Sequence, residues 1–353
     1  PADPPLGWRK CWRSLGRVAG TPLASSSRVT AQRIIVSGAT TAITRRCNLR
    51  KAFLAPWDPR VTQARLYAMA DAQRLTDVEV HHGVDVINHS HTSVTPTSDN
   101  LPEFVRRYHH DSSCALNTLL AMEKYDSPRQ LFDGREPHYL RLMDAEAQAG
   151  HLIYERVNCV AAGLVARPEL MPGHVLDFGL WKSGGLWVER PDFFFTDERP
   201  ERIFLRVTPP PLLYWAFDGD LDALVHHMRR LERHAVERIR AVQRHPALGA
   251  REVRRIHPWS EPNTLQESGG QPTRIFKFGA ADLLAREEKR GAAEELTGFQ
   301  ERYQRTRRAL LDGQTDVRCR VAPGDHSPGA ATDPDVRNSR IRLLGLQTRY
   351  ARA

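Results

Sequence analysis

Hydrophobic positions between residues 33 and 176 follow two periods, one of two residues typical of strands and one of three to four typical of helices. The short apolar runs predict strands at 39–45, 78–87, 92–95 and 138–142. The longer stretches predict helices at 59–74, 101–122 and 144–165, the last with Asp144 as its N-cap. This β-α-β-β-α-β order plus one helix predicts an α+β domain. Its ferredoxin-like antiparallel sheet would carry helices on one face and leave the other face free for a ligand.

The pattern loosens after residue 165, where proline and glycine become frequent, at 168, 172, 179, 184 and 185, and indicate a connecting segment. Further apolar runs predict strands at 193–195 and 203–207, and helical periodicity predicts helices at 221–245 and 280–311. We therefore divide the chain into a first domain at 33–176, an accessory, mainly helical and basic region at 177–320, and disordered tails at 1–32 and 321–353.

Lysine and arginine outnumber the acidic residues by 51 to 42, which gives a net charge of +9. Such an excess favours a polyanionic partner, because binding to phosphates releases condensed counterions, although composition alone is weak evidence. The helix predicted at 221–245 concentrates the charge in Arg229, Arg230, Arg233, Arg238 and Arg240. Two interpretations stay open: a helix that grips the DNA backbone, or a solvated face in which Glu232 and Glu237 pair with these arginines.

Several classes of protein are excluded by what the sequence lacks. No stretch approaches the roughly 18 apolar residues of a membrane helix, and the first ten residues have no signal-peptide core. We therefore expect a cytoplasmic protein without membrane contact. The five cysteines are far apart and form no C-x-x-C pair, which indicates reduced thiols and no zinc site. Trp181, Trp187 and Trp215 offer surfaces for stacking on unpaired bases, or for core packing, which is the commoner use.

Two histidines in the predicted strand region point to metal chemistry. His89 and His91 flank Ser90, and because alternate side chains of a strand share a face, both imidazoles point the same way. Two imidazoles need at least one further oxygen or nitrogen donor to hold a divalent ion. On the third helix, Tyr154 and Asn158 are four residues apart and share a face, so Asn158 is the candidate third ligand. Tyr154 would then lie beside the ion.

A tyrosine next to a metal suits phosphodiester chemistry. The phenol has a pKa of about 10, so it needs a metal-polarised electrophile or a nearby base before it reacts. A metal on a non-bridging oxygen of a scissile phosphate would offset charge and orient the phosphorus for attack by Tyr154. The covalent phosphotyrosine preserves the energy of the broken bond, which permits strand transfer without ATP.

Each of these residues also has a purely structural interpretation. Histidine pairs are frequent among the 15 histidines of this chain, as His81-His82 and His109-His110 show. A lone helical tyrosine is more often a packed aromatic, and a lone helical asparagine is more often a polar surface residue. The joint placement of the histidine pair and the Tyr-x-x-x-Asn helix favours the catalytic interpretation.

At these residues the chain resembles the single-tyrosine HUH transposases of bacteria, most closely the REP-associated tyrosine transposases. The resemblance covers residues 33–176, somewhat under half of the chain. It is carried by four segments, the opening strand at 38–47, Asn88-His-Ser-His91 with Val94-Thr95, Leu101-Pro-Glu-Phe104, and Tyr154-x-x-x-Asn158 with Gly163-Leu-Val165.

The resemblance implies the roles of these residues. It implies that His89, His91 and Asn158 bind Mg²⁺ or Mn²⁺ and that Tyr154 forms a 5′-phosphotyrosine link. It further implies substrates that are single-stranded or hairpin-forming DNA, and it is compatible with a homodimer, for which the sequence shows no interface. From charge and position, we predict that DNA phosphates contact Arg45, Arg46 and Arg50, which otherwise form a solvated basic edge.

Two rival functions remain at this stage. The first is a catalytically inactive protein that binds hairpin DNA as a regulator or mobile-element relic. It is favoured by Ser90, where the family carries a bulky residue, and by Cys159, where the family carries proline, while Thr92-Ser93 is more polar than the family's apolar pair. The second is an RNA-binding module of ferredoxin-like fold, which would need paired aromatic residues on the central strands. Those strands carry histidines and valines, so this rival ranks low.

Overall fold

A computed structural model describes residues 34–260, 276–281 and 283–311, so the predicted tails lie outside the described residues. Its strands are β1 Thr41–Arg46, β2 Glu79–Val86, β3 His89–Thr95, β4 His138–Leu142, β5 Gly185–Glu189, β6 Arg202–Arg206 and β7 Phe276–Gly279. Its α-helices are α1 Pro59–Thr76, α2 Leu101–Met122, α3 Ala145–Ala161, α4 Leu180–Ser183, α5 Pro211–Trp215, α6 Leu221–Val242, α7 Ala250–Val253 and α8 Leu283–Leu311. Short 3₁₀ turns lie at Asn48–Arg50 and Pro168–Leu170.

The protein is a mixed α+β structure built on one five-stranded sheet with the order β2-β3-β1-β4-β7. β1 pairs antiparallel with β3 and β4, and β2 pairs antiparallel with β3. β7 joins β4 in the parallel direction, which makes the sheet mixed. A bulge between Val80 and His82 shifts the β2–β3 register, and His81 is the extra residue.

The helices α1 and α2 cover one face of the sheet because each has an apolar stripe of helical period. In α2 this stripe includes Leu101, Phe104, Tyr108 and Leu119, all buried. α1 begins after Asp58, whose side chain accepts a hydrogen bond from the Arg60 amide at 2.8 Å. The predicted helices at 59–74 and 101–122 are confirmed within two residues.

The opposite face of the sheet is partly covered by α3. Asp144 caps this helix, since its Oδ1 accepts a hydrogen bond from the Ala147 amide at 2.6 Å, as the sequence predicts. The helix ends at Ala161, four residues earlier than predicted, because Gly163 adopts a positive φ of 70°. Its other flank packs against α6.

One prediction in the accessory region is wrong. Residues 193–195 form a turn, and the strand that pairs with β6 is β5, from the segment we expected to be a connection. The apolar run is explained by packing, because Phe195 is buried against Tyr67 of α1, with ring centroids 4.7 Å apart. β5 begins at Gly185, where an added Cβ would lie 2.0 Å from the Leu205 carbonyl oxygen, so only glycine permits this close approach.

The accessory region shares the core of the first domain. Buried apolar residues from Ile43 to Val253 form one continuous cluster. Polar contacts also join the two parts, since the Trp181 indole N–H donates to the His81 carbonyl at 3.0 Å. No helix in the described ranges has the length and apolar character needed to cross a membrane.

Candidate functional site

The two predicted metal-binding histidines lie side by side at the start of β3. Their ring centroids are 4.9 Å apart and their planes are nearly perpendicular, at 82°. The cross-strand pairs Thr44–His91 and Arg46–His89 place β1 side chains on the same face as the imidazoles. This is the face on which α3 lies.

The helix α3 brings Asn158 and Tyr154 to the histidines. The Asn158 amide contacts His91 Nε2 at 3.1 Å, across 67 residues of sequence. The Tyr154 ring lies 5.7 Å from the His91 ring, between centroids, at an angle of 83°. Tyr154 is 53% exposed, which is unusual for a large aromatic side chain and leaves its hydroxyl accessible to a substrate.

The remaining nitrogen of each imidazole has a partner that fixes the ring. His89 Nδ1 lies 2.8 Å from Asn88 Oδ1, and His91 Nδ1 lies 3.1 Å from Thr44 Oγ1. With Nδ1–H donating to these oxygens, the Nε2 lone pairs face the site. Burial lowers the pKa of His89 to about 3, helped by His91 and Arg46, and lowers the pKa of His91 to about 4. Both rings are therefore neutral at physiological pH, the form that binds metals.

The donor set fits a small divalent cation. An octahedral Mg²⁺ with ligand distances of about 2.1 Å places neighbouring donors about 3 Å apart, and the Asn158 amide and His91 Nε2 are 3.1 Å apart. Rotating the Asn158 amide by half a turn presents Oδ1 in place of Nδ2. No three His, Cys, Asp or Glu side chains form a metal cluster in the described ranges, so the site depends on the amide as a third ligand.

A buried carboxylate beneath the site was missed in the sequence. Glu155 accepts hydrogen bonds from Ser93 Oγ at 3.0 Å, and His82 Nδ1 lies 3.1 Å from its Oε2. His151 Nε2, one turn earlier on α3, lies 3.4 Å from Oε1. These partners overcome burial and hold the pKa of Glu155 below its usual range. The sequence signal was the polarity of Ser93, which appeared only as a departure from the family pattern.

The three predicted DNA-binding arginines lie in different places. Arg46 is exposed on the site face, directly paired with His89. Arg45 pairs with Ser90, and its side chain packs on the opposite face, 5.5 Å from the Phe132 ring centroid. Arg50 lies on the 3₁₀ turn that follows β1. The structure therefore brings Arg46 alone of these three to the histidines.

The three tryptophans considered for base stacking differ in how exposed their side chains are. Trp181 is buried in the core, as the commoner interpretation expects, whereas Trp187 is 59% exposed and Trp215 is 46% exposed. Trp187 lines an open groove of about 640 Å³, together with Gln63 and Arg254. The Arg202 guanidinium lies 5.1 Å from the Trp187 ring centroid.

Comparisons with known proteins find similarity among the solved structures. No family model matches the chain, and no curated protein is significantly similar to it. A solved structure of the REP-associated tyrosine transposase bound to a REP hairpin is similar, with a TM-score of 0.33 and 17% identity over 50% of this chain and 98% of the other. A TM-score this low assigns no role to any residue, so the functional conclusion rests on the geometry of the site.

Proposed function

We propose that this protein is a transposase, a metal-dependent endonuclease and strand transferase that acts on single-stranded, hairpin-forming DNA through a 5′-phosphotyrosine intermediate. One observation carries the proposal. Two imidazoles, an amide and an exposed phenol, distant in sequence, meet on one face of the sheet. The strand order β2-β3-β1-β4, antiparallel throughout, supports the ferredoxin-like arrangement of an HUH domain.

His89, His91 and Asn158 would hold Mg²⁺ or Mn²⁺ in this proposal. The cation, when bound, withdraws negative charge from a non-bridging phosphate oxygen. Thr44 and Asn88 keep the imidazoles oriented, and Arg46 offers a positive charge to the DNA backbone beside His89.

Tyr154 is the proposed nucleophile. Its Oη attacks the scissile phosphorus, the bond between phosphorus and the 3′-oxygen breaks, the phenolic proton leaves to solvent, and the departing 3′-oxygen takes up a proton from solvent. The products are a 3′-hydroxyl end and a DNA 5′-phosphate joined to Tyr154. Attack on this link by another 3′-hydroxyl reverses the step and rejoins DNA. The cytoplasmic location and a homodimer stay predictions.

The inactive hairpin-binding protein is the second candidate, and it depends on Ser90 and Cys159. Ser90 pairs with Arg45 and faces away from the histidines. Cys159 is buried, with its Sγ 3.5 Å from the Arg156 carbonyl oxygen. Both departures leave the donors and Tyr154 in place, which favours the active enzyme.

The decisive experiment is cleavage of a 3′-labelled library of DNA hairpins with Mn²⁺, followed by denaturing electrophoresis. We expect a covalent protein–DNA adduct that is absent from Tyr154→Phe and present in the control Tyr303→Phe, whose tyrosine lies on α8. If no hairpin yields an adduct but hairpins bind with strong salt dependence, the binding-protein function replaces the enzyme.

A further inference from the structure

The helix α6 has one buried face and one basic outer face. Leu224, Met228, Glu232 and Val236 face α3 and are buried. The outer face carries Arg230, Arg233, Arg238 and Arg240, all exposed, and Arg244 follows the helix end. We call these five arginines the outer strip.

Two carboxylates close to the outer strip pair with other arginines. Glu232 is buried and pairs with Arg156 of α3, with its Oε2 3.3 Å from Arg156 Nε. Asp177 pairs with Arg156 at 2.8 Å and with Arg229, on the inner side of α6. The solvated-face interpretation needed Glu232 and Glu237 to pair with the exposed arginines, and the structure buries Glu232 against Arg156.

Little negative charge remains on the outer face. Between residues 230 and 244 the only other carboxylate is Glu237, which lies 3.8 Å from His234. Within the described ranges, Arg233, Arg238, Arg240 and Arg244 take part in no ion pair. Elsewhere, some exposed helical arginines have a carboxylate partner one turn away, such as Arg106 with Glu103. The outer strip is thus a surface of positive charge that ion pairs among the described residues leave largely uncompensated.

We propose that the outer strip binds the phosphate backbone of the duplex stem of a DNA hairpin, a role that rests on the proposed function. Duplex DNA carries one negative charge per about 1.7 Å of its axis. The helical part of the strip, from Arg230 to Arg240, spans about 15 Å at 1.5 Å per residue. A basic helix face of this length complements the regularly spaced phosphates of a duplex better than a flexible single strand, whose phosphates have no fixed spacing.

The position of α6 connects the outer strip to catalysis. α6 packs directly on α3, and the buried Arg156–Glu232 pair joins the helix that carries Tyr154 to the helix that carries the strip. A stem bound along α6 is therefore held at a fixed distance from the nucleophile. In this way the strip would position the hairpin, and the sheet face that carries His89 and His91 would receive the scissile phosphate.

The test measures hairpin affinity as a function of salt concentration with the full-length protein. The strip variant replaces Arg233, Arg238, Arg240 and Arg244 with glutamine. The control variant removes the same charge from four ion-paired arginines, Arg106, Arg107, Arg255 and Arg290. We expect the slope of log K against log salt to fall by about 3 to 4 in the strip variant, at about 0.9 per lost contact, and to be unchanged in the control.

The outcomes separate this proposal from the proposed function. A strip variant whose slope equals that of the wild type, or a control that loses as much slope, overturns the strip while the Tyr154 adduct still stands. An equal loss on an unstructured strand of the same length overturns the assignment to the duplex stem. Unchanged thermal unfolding of both variants shows that folding is not the cause of any difference.

Discussion

At the scale of single residues, the site depends on groups that never touch a substrate. Thr44 and Asn88 select the imidazole tautomers that leave Nε2 free, and burial keeps both rings neutral. Glu155 fixes α3 on β3 through Ser93, which determines where Tyr154 and Asn158 project. The polar Ser93 therefore has a structural use, because it supports a buried carboxylate.

Thr44→Val removes the oxygen that accepts the His91 Nδ1 hydrogen bond while it conserves the side-chain volume. We expect Mn²⁺ binding to weaken by about 10- to 100-fold, the usual effect of losing a partner of a metal-binding histidine. Isothermal titration calorimetry measures this directly. Thr44→Ser retains the hydroxyl and should bind like the wild type; equal weakening in both variants would show that His91 orientation is not the cause.

At the scale of elements, sequence patterns predicted those that are long or strongly periodic. α2 was predicted to the residue, and β2 within one residue at each end. β5 and β7 were missed because they are short, at five and four residues, and depend on distant partners. β7 pairs with β4 from well over a hundred residues away, which no local pattern reveals. The sequence predicted that Tyr154 and Asn158 share one face of α3 and that His89 and His91 share one face of a strand. It did not show how α3 packs on β3, and the catalytic and metal-binding roles of these residues stay predictions.

The bulge in β2 makes folding pH-dependent through His81. This buried ring contacts the Thr208 carbonyl oxygen at 2.8 Å and Thr95 Oγ1 at 2.7 Å, and burial lowers its pKa to about 4. Between pH 6.5 and 4 the unfolded chain binds a proton that the folded chain does not. The free energy of unfolding should therefore fall as pH drops through this window, by roughly 3 kcal/mol from this group.

Urea denaturation of the wild type and His81→Gln at pH 7.5, 6 and 5 measures this dependence. The variant should show a shallower decline with acidification, because one of the residues that titrate differently in the folded and unfolded states is gone. His234→Gln, at an exposed position on α6, should decline as steeply as the wild type. Parallel curves for all three proteins would contradict the role of His81.

At the scale of the whole molecule, the accessory region is held to the first domain by a buried ion-pair network. Arg156 is 2% exposed and contacts both carboxylates, Glu232 through Nε and Asp177 through Nη2. Burial nevertheless raises the pKa of Glu232 above its usual range, so this carboxylate is easily neutralised. Arg156 should therefore contribute more to the free energy of unfolding than the charge of Glu232 does.

Arg156→Met should destabilise the protein by about 3–5 kcal/mol, because it leaves a buried carboxylate without its partner. Glu232→Gln should cost much less, since Arg156 keeps Asp177. Chemical denaturation monitored by tryptophan fluorescence gives both values. The double variant Arg156→Met, Glu232→Leu should recover much of the loss, and no recovery would mean that packing, not charge, holds α6 to α3.

The four antiparallel strands β2-β3-β1-β4 pair with other parts of the chain at both of their outer edges. β7 covers the outer side of β4, and on the far side the Asp85 and Leu176 amides donate to carbonyls across the Val84–Val175 bridge, at 2.9 and 2.8 Å. Open edges present unpaired amides and carbonyls that recruit strands from other molecules and start aggregation. A neighbouring copy crowded onto the same DNA would thus find the edge of β2 already paired at Val84, and a continuous intermolecular sheet would have to form at β7, the four-residue strand at the other edge.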